Sequence, residues 1–303
     1  MKIISSSKYE VDIGQHVFAN TKFRGVVEQL LHAGLATPED VMEPSPASRE
    51  ELLLVHTEEW VSKVLEGGVT AWDEAMLELP YSRELGVAYQ TATGGTLLAC
   101  RHALETGLGI HVGGGFHHAF SGHGEGFCVF NDLAAGIAVM KKEKKIKRAM
   151  VVDLDVHQGN GTAALLAHDT SVFTFSMHQE NIYPAMKPPS SLDIHLPAGT
   201  GDERYLKLLA QELPKILDAH HPQLVLFQAG ADPYEKDLLG GLKLTLRGFE
   251  GRDRFVFEEC FKRKIPVVVT LGGGYASDPS DTVSIHAQTC RLGMNLHRDL
   301  WQK

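Results

Sequence analysis

Three polar residues stand at alternate positions in the segment VVDLDVHQGNG, directly after an apolar run: Asp153, Asp155 and His157. While a chain stays extended, alternate side chains face the same side, so these groups point into one cavity at a strand end. An acidic N-cap before a helix that begins at Asn160 is the structural alternative. It does not account for three polar groups on one face, because burying them without partners costs on the order of several kcal/mol. The spacing therefore predicts a metal site.

Asp155 and His157 provide two metal ligands, and the third must come from another strand end. Asp232, in the segment QAGADPYEKD, is the best-placed candidate. Two carboxylates and one imidazole leave a tetrahedral ion with an open position, as in catalytic zinc sites. Such an ion lowers the pKa of a bound water towards about 7 and polarises a carbonyl group. Fe²⁺ and Co²⁺ suit the same ligands, so the ligand set leaves the choice among these three ions open.

Two glycine-rich segments carry groups that can transfer protons or stabilise negative charge. His117 and His118 follow three glycines, and Tyr275 also follows three glycines. One histidine can pair with Asp153 and the other with Asn160, which suits proton transfer to and from a reacting amide. The Tyr275 phenol can donate a hydrogen bond to a developing oxyanion. Packing or capping by the histidines, and aromatic packing at a turn by Tyr275, are the structural alternatives.

Apolar runs indicate the strands that must position these groups. Runs rich in β-branched residues, typical of strands buried on both faces of a parallel sheet, occupy residues 109–112, 149–154, 171–176, 223–229 and 266–271. Helical patterning covers residues 22–32, 58–66, 83–104, 131–145, 202–220 and 247–264. This alternation predicts an α/β fold with a doubly wound, mainly parallel sheet flanked by helices.

Four of the five predicted strands are followed by a polar or glycine-rich cluster: GGGFHHAFSGHGEGF, DVHQGNG, GADPYEKD and GGGY. In open parallel sheets, ligands bind at the carboxyl ends of the strands. The four clusters are therefore expected to line one crevice, an expectation that an antiparallel sheet would defeat.

Composition limits the class of protein. The 303 residues include 43% hydrophobic and 22% charged residues, and no linker or repeat divides them, so we expect one domain over residues 1–303. The formal net charge of −9 argues against a nucleic-acid-binding surface. The four cysteines lie far apart without a CxxC pair, so reduced and mostly buried thiols are expected.

The sequence also lacks the usual signs of membrane insertion or export. No apolar run approaches the ~20 residues that a membrane-spanning helix needs. The first residues, MKIISSSKYEVD, do not have the pattern of a signal peptide. We therefore expect a cytoplasmic protein with no membrane span.

Taken together, the motifs GGGFHHAFSGHGEGFCVFND, VVDLDVHQGNG, QAGADPYEKDLLGGLKLT and LGGGYA resemble the histone deacetylase superfamily, which has the three-layer arginase/deacetylase fold. The resemblance extends from about Lys2 to Asn295. It implies that the whole chain is one catalytic domain of this type. It also implies roles for the matching positions: Asp155, His157 and Asp232 as zinc ligands, His117 and His118 as the catalytic dyad, and Tyr275 as the oxyanion donor.

The resemblance extends to positions around these groups. Phe127 and Tyr183 match residues that flank the channel for the acyl-lysine side chain, and Gly273 is assigned to the same channel. Asp153 and Ser176 match a structural K⁺ or Na⁺ site that many members possess. Within the dyad, His118 is expected to be the main general base and acid.

Two features depart from the commonest class I pattern. Gln158 and Asn160 stand where that pattern has His and Asp, so His118 is expected to lack a carboxylate partner. The segment HQENIYP and the short chain are similar instead to class IV deacetylases and their bacterial relatives. Some class IV members prefer long fatty acyl groups, so the resemblance leaves the length of the acyl chain open.

The expected function is zinc-dependent hydrolysis of the amide of Nε-acyl-lysine in a protein or peptide, by metal-activated water. Deacetylation of small amines such as polyamines shares this chemistry and differs only at the channel rim. A non-catalytic acyl-lysine-binding scaffold is a further alternative, although it would not need the intact ligands, dyad and tyrosine. An arginase-like ureohydrolase is disfavoured because ADPYEKD lacks the extra aspartates for two manganese ions. The oligomeric state stays open.

Overall fold

The computed structural model describes residues 2–301; Met1, Gln302 and Lys303, which fall within the predicted domain, lie outside the described residues. The strands are β1 (Ile3–Ile4), β2 (Val41–Met42), β3 (Leu108–Ile110), β4 (Ala149–Asp153), β5 (Val172–Gln179), β6 (Leu192–Leu196), β7 (Val225–Gln228) and β8 (Val267–Thr270). The helices are α1 (Lys22–His32), α2 (Arg49–Leu52), α3 (Glu58–Glu66), α4 (Ala71–Leu77), α5 (Arg83–Thr106), α6 (Asp132–Lys142), α7 (Asn160–Leu166), α8 (Asp202–His220), α9 (Leu246–Lys262) and α10 (Pro279–Leu296).

The central sheet has the strand order β3-β8-β7-β4-β5-β6, and all its pairings are parallel. After β4 the chain continues outwards through β5 and β6, then crosses back to form β7 on the other side of β4. The strand order therefore reverses between β4 and β7. The loops that leave β4 and β7 therefore diverge and open a crevice at the carboxyl ends of these strands. Open α/β sheets bind ligands in such a crevice.

Helices cover both faces of this sheet. The connections β3-α6-β4 and β4-α7-β5 run in one direction along the sheet, whereas β6-α8-β7 and β7-α9-β8 run in the other. Right-handed crossovers place helices from opposite directions on opposite faces. On one face α5 packs on α6 and α6 on α7; on the other α8, α9, α10 and α1 pack in that order. The predicted three-layer α/β arrangement is confirmed.

Local signals explain why several helix bounds could be predicted to the residue. In α3, the Thr57 side chain accepts a hydrogen bond from the backbone N–H of Trp60, and the helix stops at Gly67, whose φ of 84° is left-handed. Helix α6 stops at Lys142, before the predicted end at residue 145, because Lys144 adopts a left-handed φ of 59°. Strand β6 and helix α10 are elements that the sequence pattern did not indicate.

The prediction that Asp155 and His157 belong to an extended strand is wrong. Strand β4 ends at Asp153, so Asp155 and His157 lie beyond the sheet, in the loop before α7. Sheet alternation cannot orient these two side chains, and their direction comes from hydrogen bonds within the loop.

Two expectations from composition can be compared with the structure. All four cysteines, Cys100, Cys128, Cys260 and Cys290, are buried free thiols, as expected. Within residues 2–301, no helix combines the length and the apolar character that crossing a membrane requires.

Candidate active site

The three predicted metal ligands meet in the crevice at the carboxyl ends of β4 and β7. Asp155 and His157 follow β4, Asp232 follows β7, and one ligand atom from each lies within 4.8 Å of the others. Main-chain bonds hold the carboxylates in place. The N–H of Val156 donates to Asp232 Oδ1 at 2.9 Å, and the N–H of His157 donates to Asp155 Oδ1 at 3.0 Å. We call Asp155, His157 and Asp232 the floor of the site.

The donor atoms of the floor fit a divalent cation. His157 Nδ1 lies 3.1 Å from Asp155 Oδ1 and 3.3 Å from Asp232 Oδ2, so one nitrogen faces two carboxylates. Within the part of the chain that the structure describes, the buried Asp232 Oδ2 has no hydrogen-bond partner. A side chain on Gly273 would crowd this atom, because a Cβ there would lie 2.1 Å from it. The arrangement leaves one carboxylate oxygen directed at a site that only a cation or a donor could satisfy.

The pKa values of the floor residues indicate an excess of negative charge at this site. Burial lowers the pKa of His157, but hydrogen bonds and charge from Asp155 and Asp232 outweigh it and raise this pKa to about 10. Burial and the neighbouring Asp155 raise the pKa of Asp232 to about 7. Two buried carboxylates therefore compete for positive charge, which a metal would supply in place of protons.

The two adjacent histidines have the two predicted partners. His117 Nδ1 lies 2.7 Å from Asp153 Oδ2, and His118 Nδ1 lies 2.7 Å from Asn160 Oδ1. Burial lowers the pKa of His117, but Asp153 and Asp155 outweigh it and raise this pKa to about 9. Burial and the neighbouring histidines instead lower the pKa of His118. The pair thus contains one imidazole that favours the charged form and one that favours the neutral form.

Tyr275 lies on the loop that follows β8, as the glycine-rich motif predicts. Its backbone N–H donates to Asp237 Oδ2 at 2.7 Å, and its ring lies 5.9 Å from the ring of Phe127. Burial, followed by the charges of Asp232 and Asp155, raises the pKa of the phenol. The hydroxyl group is therefore protonated at neutral pH and able to donate a hydrogen bond.

A cavity of about 320 Å³ leads from the surface to these groups. Phe127 and Tyr183 line it, together with His118, His157 and Tyr275. The Tyr183 ring lies 4.9 Å from the ring of His118. We call His117, His118, Phe127, Tyr183 and Tyr275 the wall of the site.

Gly273, the third residue assigned to the channel, lines a pocket together with His118, Phe127 and Tyr275. Its backbone N–H donates to Asp155 Oδ2 at 3.2 Å, beneath the mouth of the cavity. It therefore contacts the floor directly.

The pair assigned to a monovalent cation lies behind the floor. Asp153 and Ser176 are partners in the register of β4 and β5, and both are buried. The Ser176 hydroxyl is 2.8 Å from His178 Nδ1, and Asp153 Oδ1 accepts a bond from the N–H of Asp155 at 3.2 Å.

Several residues around the site were not found from the sequence, including two polar residues and two buried cations. Gln228 donates to the carbonyl of Gly115 at 3.0 Å and accepts from Thr270, joining two glycine-rich loops. Its signal was a polar residue inside an apolar strand. Glu125 contacts Asn160 and Tyr183. Its position in a glycine-rich loop gave no signal.

The other two are buried cations near the floor. Lys22 donates to the carbonyl of Gly272 at 2.7 Å, and burial lowers its pKa to about 8. Arg252 donates to the carbonyl of Gly230 at 2.7 Å, two residues before Asp232. Both side chains lie on helices whose sequences look amphipathic, so only the tertiary contacts distinguish them from surface charges.

Comparison with known proteins identifies the family. The sequence profile of the Histone deacetylase domain matches residues 16–290. The chain belongs to the histone deacetylase family. An uncharacterized protein of Picosynechococcus sp. is 40% identical over 283 residues, which cover 93% of this chain and 94% of the relative. Histone deacetylase 2 of Arabidopsis thaliana is 30% identical over 297 residues, which cover 94% of this chain and 77% of that protein.

A solved structure shows the same fold. The crystal structure of a histone deacetylase homologue from Aquifex aeolicus matches with a TM-score of 0.81 at 24% identity, covering 100% of this chain and 88% of that chain. The predicted arginase/deacetylase fold is therefore confirmed. As a member of this family, the chain is a hydrolase.

Proposed function

We propose that this histone deacetylase-family protein hydrolyses the amide bond of Nε-acyl-lysine in proteins or peptides, with a divalent metal ion. One observation carries the proposal. Among the residues that the structure describes, Asp232 Oδ2 has no hydrogen-bond partner, and it faces His157 Nδ1 at the bottom of a cavity lined by His118 and Tyr275. A cation-binding floor, a proton-transfer group and a phenol around one channel match the requirements of amide hydrolysis.

Asp155, His157 and Asp232 would hold the metal. We propose Zn²⁺, with Fe²⁺ or Co²⁺ as ions that the same oxygen and nitrogen donors accept. When bound, the ion supplies Lewis acidity that activates water and polarises the substrate carbonyl. The hydrogen bonds from the N–H groups of Val156 and His157 fix the two carboxylates in the positions from which they would hold the ion.

His118 acts as general base and then as general acid in this proposal. Its Nδ1 faces Asn160, so Nε2 is the nitrogen that accepts a proton from the attacking water. The same nitrogen returns the proton to the departing lysine amine. His117, held by Asp153 and charged, stabilises negative charge on its side of the site. Tyr275 donates a hydrogen bond to the developing oxyanion.

The remaining assigned residues position the substrate and the framework. Phe127 and Tyr183 contact the aliphatic part of the acyl-lysine side chain, and Gly273 leaves room for the ligands beneath it. We propose that Asp153 and Ser176, adjacent in register across β4 and β5, contribute to a structural K⁺ or Na⁺ site. The whole chain, residues 1–303, is proposed to act as one catalytic domain in the cytoplasm.

The neutral partner of His118, Asn160, supports a class IV-like deacylase. The length of the acyl chain that it prefers is left for experiment to determine. Glu78 lies exposed at the mouth of the cavity and suits both the proposed substrate and a second candidate, deacetylation of small cationic amines such as polyamines. A carboxylate at the entrance attracts a charged amine substrate as well as a lysine-rich peptide.

A rate comparison tests the proposal. Lysine peptides that carry acetyl through myristoyl groups, and acetylated polyamines, are incubated with the zinc-loaded protein, and amine release is measured. Turnover of peptides supports the proposed function, and turnover of polyamines alone supports the second candidate. Absence of turnover on every substrate refutes both and favours a non-catalytic acyl-lysine-binding scaffold.

A further inference from the structure

Glu125 lies beside the wall, with most of its side chain buried at 15% exposure. Asn160 Nδ2 donates to Glu125 Oε1 at 2.8 Å, and the Tyr183 hydroxyl donates to the same oxygen at 2.7 Å. His123 Nε2 lies 3.4 Å from the other oxygen. One carboxylate therefore joins the partner of the proposed general base to a residue that lines the channel.

The loop that carries Glu125 passes so close to the wall that the next residue, Gly126, has no room for a side chain. A Cβ on Gly126 would lie 2.7 Å from the Tyr183 hydroxyl and 2.9 Å from His118 Cδ2. Gly126 has a left-handed φ of 50°, which favours glycine. This backbone position places Glu125 next to Asn160 and Tyr183, whose hydrogen bonds hold its carboxylate.

Glu125 determines which way the Asn160 amide faces. Burial raises the pKa of Glu125, but hydrogen bonds from His123, Tyr183 and Asn160 outweigh burial and lower it. The ionised carboxylate only accepts hydrogen bonds, so the NH₂ group of Asn160 must face it. The amide oxygen of Asn160 then faces His118, at 2.7 Å from Nδ1.

The direction of the amide in turn selects the tautomer of His118. An amide oxygen accepts but cannot donate, so the proton of the neutral imidazole must lie on Nδ1. Nε2 then keeps its lone pair and can accept a proton. If the amide flipped, its NH₂ group would face Nδ1 and favour the tautomer with Nε2 protonated, which cannot act as a base.

We propose that Glu125 is a positioning residue that acts through Asn160 to hold His118 in the tautomer with Nδ1 protonated. This inference rests on the proposed function for the role of His118 in catalysis. In a direct histidine–aspartate pair the carboxylate contacts the imidazole. Here the Glu125 carboxylate contacts Asn160, and Asn160 contacts His118. Asn160 transmits the preference of the carboxylate without placing a second negative charge against His118.

The first test is nitrogen NMR of the zinc-loaded, ¹⁵N-histidine-labelled protein. The His118 signals are assigned by their loss in His118→Gln. In the wild-type protein we expect the shift pattern of the tautomer with Nδ1 protonated. Glu125→Ala is expected to give a mixture of tautomers, because the amide is free to flip. Glu125→Gln, which keeps an acceptor oxygen, is expected to restore most of the wild-type pattern.

Tyr183→Phe is the matched control. It removes the other hydrogen bond to Glu125 and leaves the bond from Asn160 in place, so the His118 tautomer is expected to stay as in the wild type. A change in Tyr183→Phe equal to that in Glu125→Ala would instead assign Glu125 to the channel and overturn the inference.

Kinetics provide the second test. Glu125→Ala is expected to lower kcat by about 10-fold or more, within the ~10⁴-fold that a wrong histidine tautomer costs in a serine protease. Because the effect passes through Asn160, Glu125→Ala in an Asn160→Ala background is expected to lower kcat no further. Additive losses in the double variant would overturn the inference.

The two proposals can fail separately. Wild-type protein that turns over no acyl-lysine substrate refutes the proposed function, whereas the NMR measurement still reports the tautomer. A wild-type His118 with Nε2 protonated refutes the inference even if the protein is a deacylase. This wild-type measurement can still overturn the inference if Glu125→Ala does not fold.

Discussion

The floor follows strands β4 and β7, whereas the wall is carried by loops that follow other strands: His117, His118 and Phe127 after β3, Tyr183 after β5 and Tyr275 after β8. Main-chain N–H groups hold the floor carboxylates, at 2.9 Å from Val156 and 3.0 Å from His157. Side-chain contacts hold the wall instead, such as His117 with Asp153 and His118 with Asn160. Backbone bonds tolerate substitutions nearby, while each side-chain bond depends on one distant residue. Changes in the floor should therefore alter metal binding, and changes in the wall should alter rates.

The largest effect is expected from Asp232→Ala. Removing this ligand leaves only Asp155 and the buried His157 as donors. The protein should therefore lose both its zinc, which is expected at about one ion per chain, and its turnover. Metal analysis of the purified variant, together with a peptide assay, checks this. Asp218→Ala, which removes an exposed aspartate far from the floor, is the control and should keep both. Full zinc content in Asp232→Ala would show that the floor is assigned wrongly.

Tyr275→Phe tests the wall by removing a single hydroxyl group. The variant should keep its zinc, because Tyr275 is no ligand, and lose about 10²-fold or more in kcat, the scale for a lost oxyanion donor. Parallel measurements of kcat, KM and zinc content separate the two regions. Normal turnover in Tyr275→Phe would remove the tyrosine from the proposed mechanism. Loss of zinc in this variant would show that the wall, and not only the floor, contributes to metal binding.

The pH dependence of metal binding tests the floor by a second route. Without metal, the pKa of His157 is raised to about 10, so its Nδ1 must release a proton before the ion can bind. Zinc affinity should therefore rise roughly tenfold per pH unit between about pH 7 and 8. The slope should steepen below pH 7, because the pKa of Asp232 is raised to about 7.

Calorimetric titrations of the metal-free protein in two buffers of different ionisation enthalpy count the released protons. An affinity that does not change with pH would contradict the charge balance assigned to the floor.

The smallest effect is expected from Phe127→Ala, in the channel part of the wall. The substrate should lose burial of one or two methylene groups at about 0.8 kcal/mol each, which corresponds to a rise in KM of about 4- to 15-fold. Phe127→Leu, which keeps an apolar surface, should recover much of this. Position 127 has a left-handed φ of 65°. Phenylalanine, alanine and leucine all have a Cβ atom and are strained there alike, so backbone strain does not affect the comparison. A fall in kcat with unchanged KM would instead assign Phe127 to the chemistry.

The sequence predicted the framework well because buried parallel strands and capped helices are local patterns. The bounds of α1, α3 and α8 agree with prediction, and all five predicted strands are present. Strand β6 was missed because it is a half-exposed edge strand without a continuous apolar run. Helix α10 was missed although Asp278 and Pro279 supply an N-cap and a first-turn proline.

The sequence by itself determined which groups are present: the Asp-x-His of the floor, the histidine pair and the tyrosine after three glycines. It also indicated that parallel strands would bring them to one edge, because strand polarity follows from local apolar runs and crossover rules. Tertiary structure alone decided the direction of Asp155 and His157, which lie beyond β4. It also left Asp232 Oδ2 without a hydrogen-bond partner among residues 2–301. It also placed Glu125 behind Asn160. These facts depend on contacts between residues far apart in the chain, which no local pattern encodes.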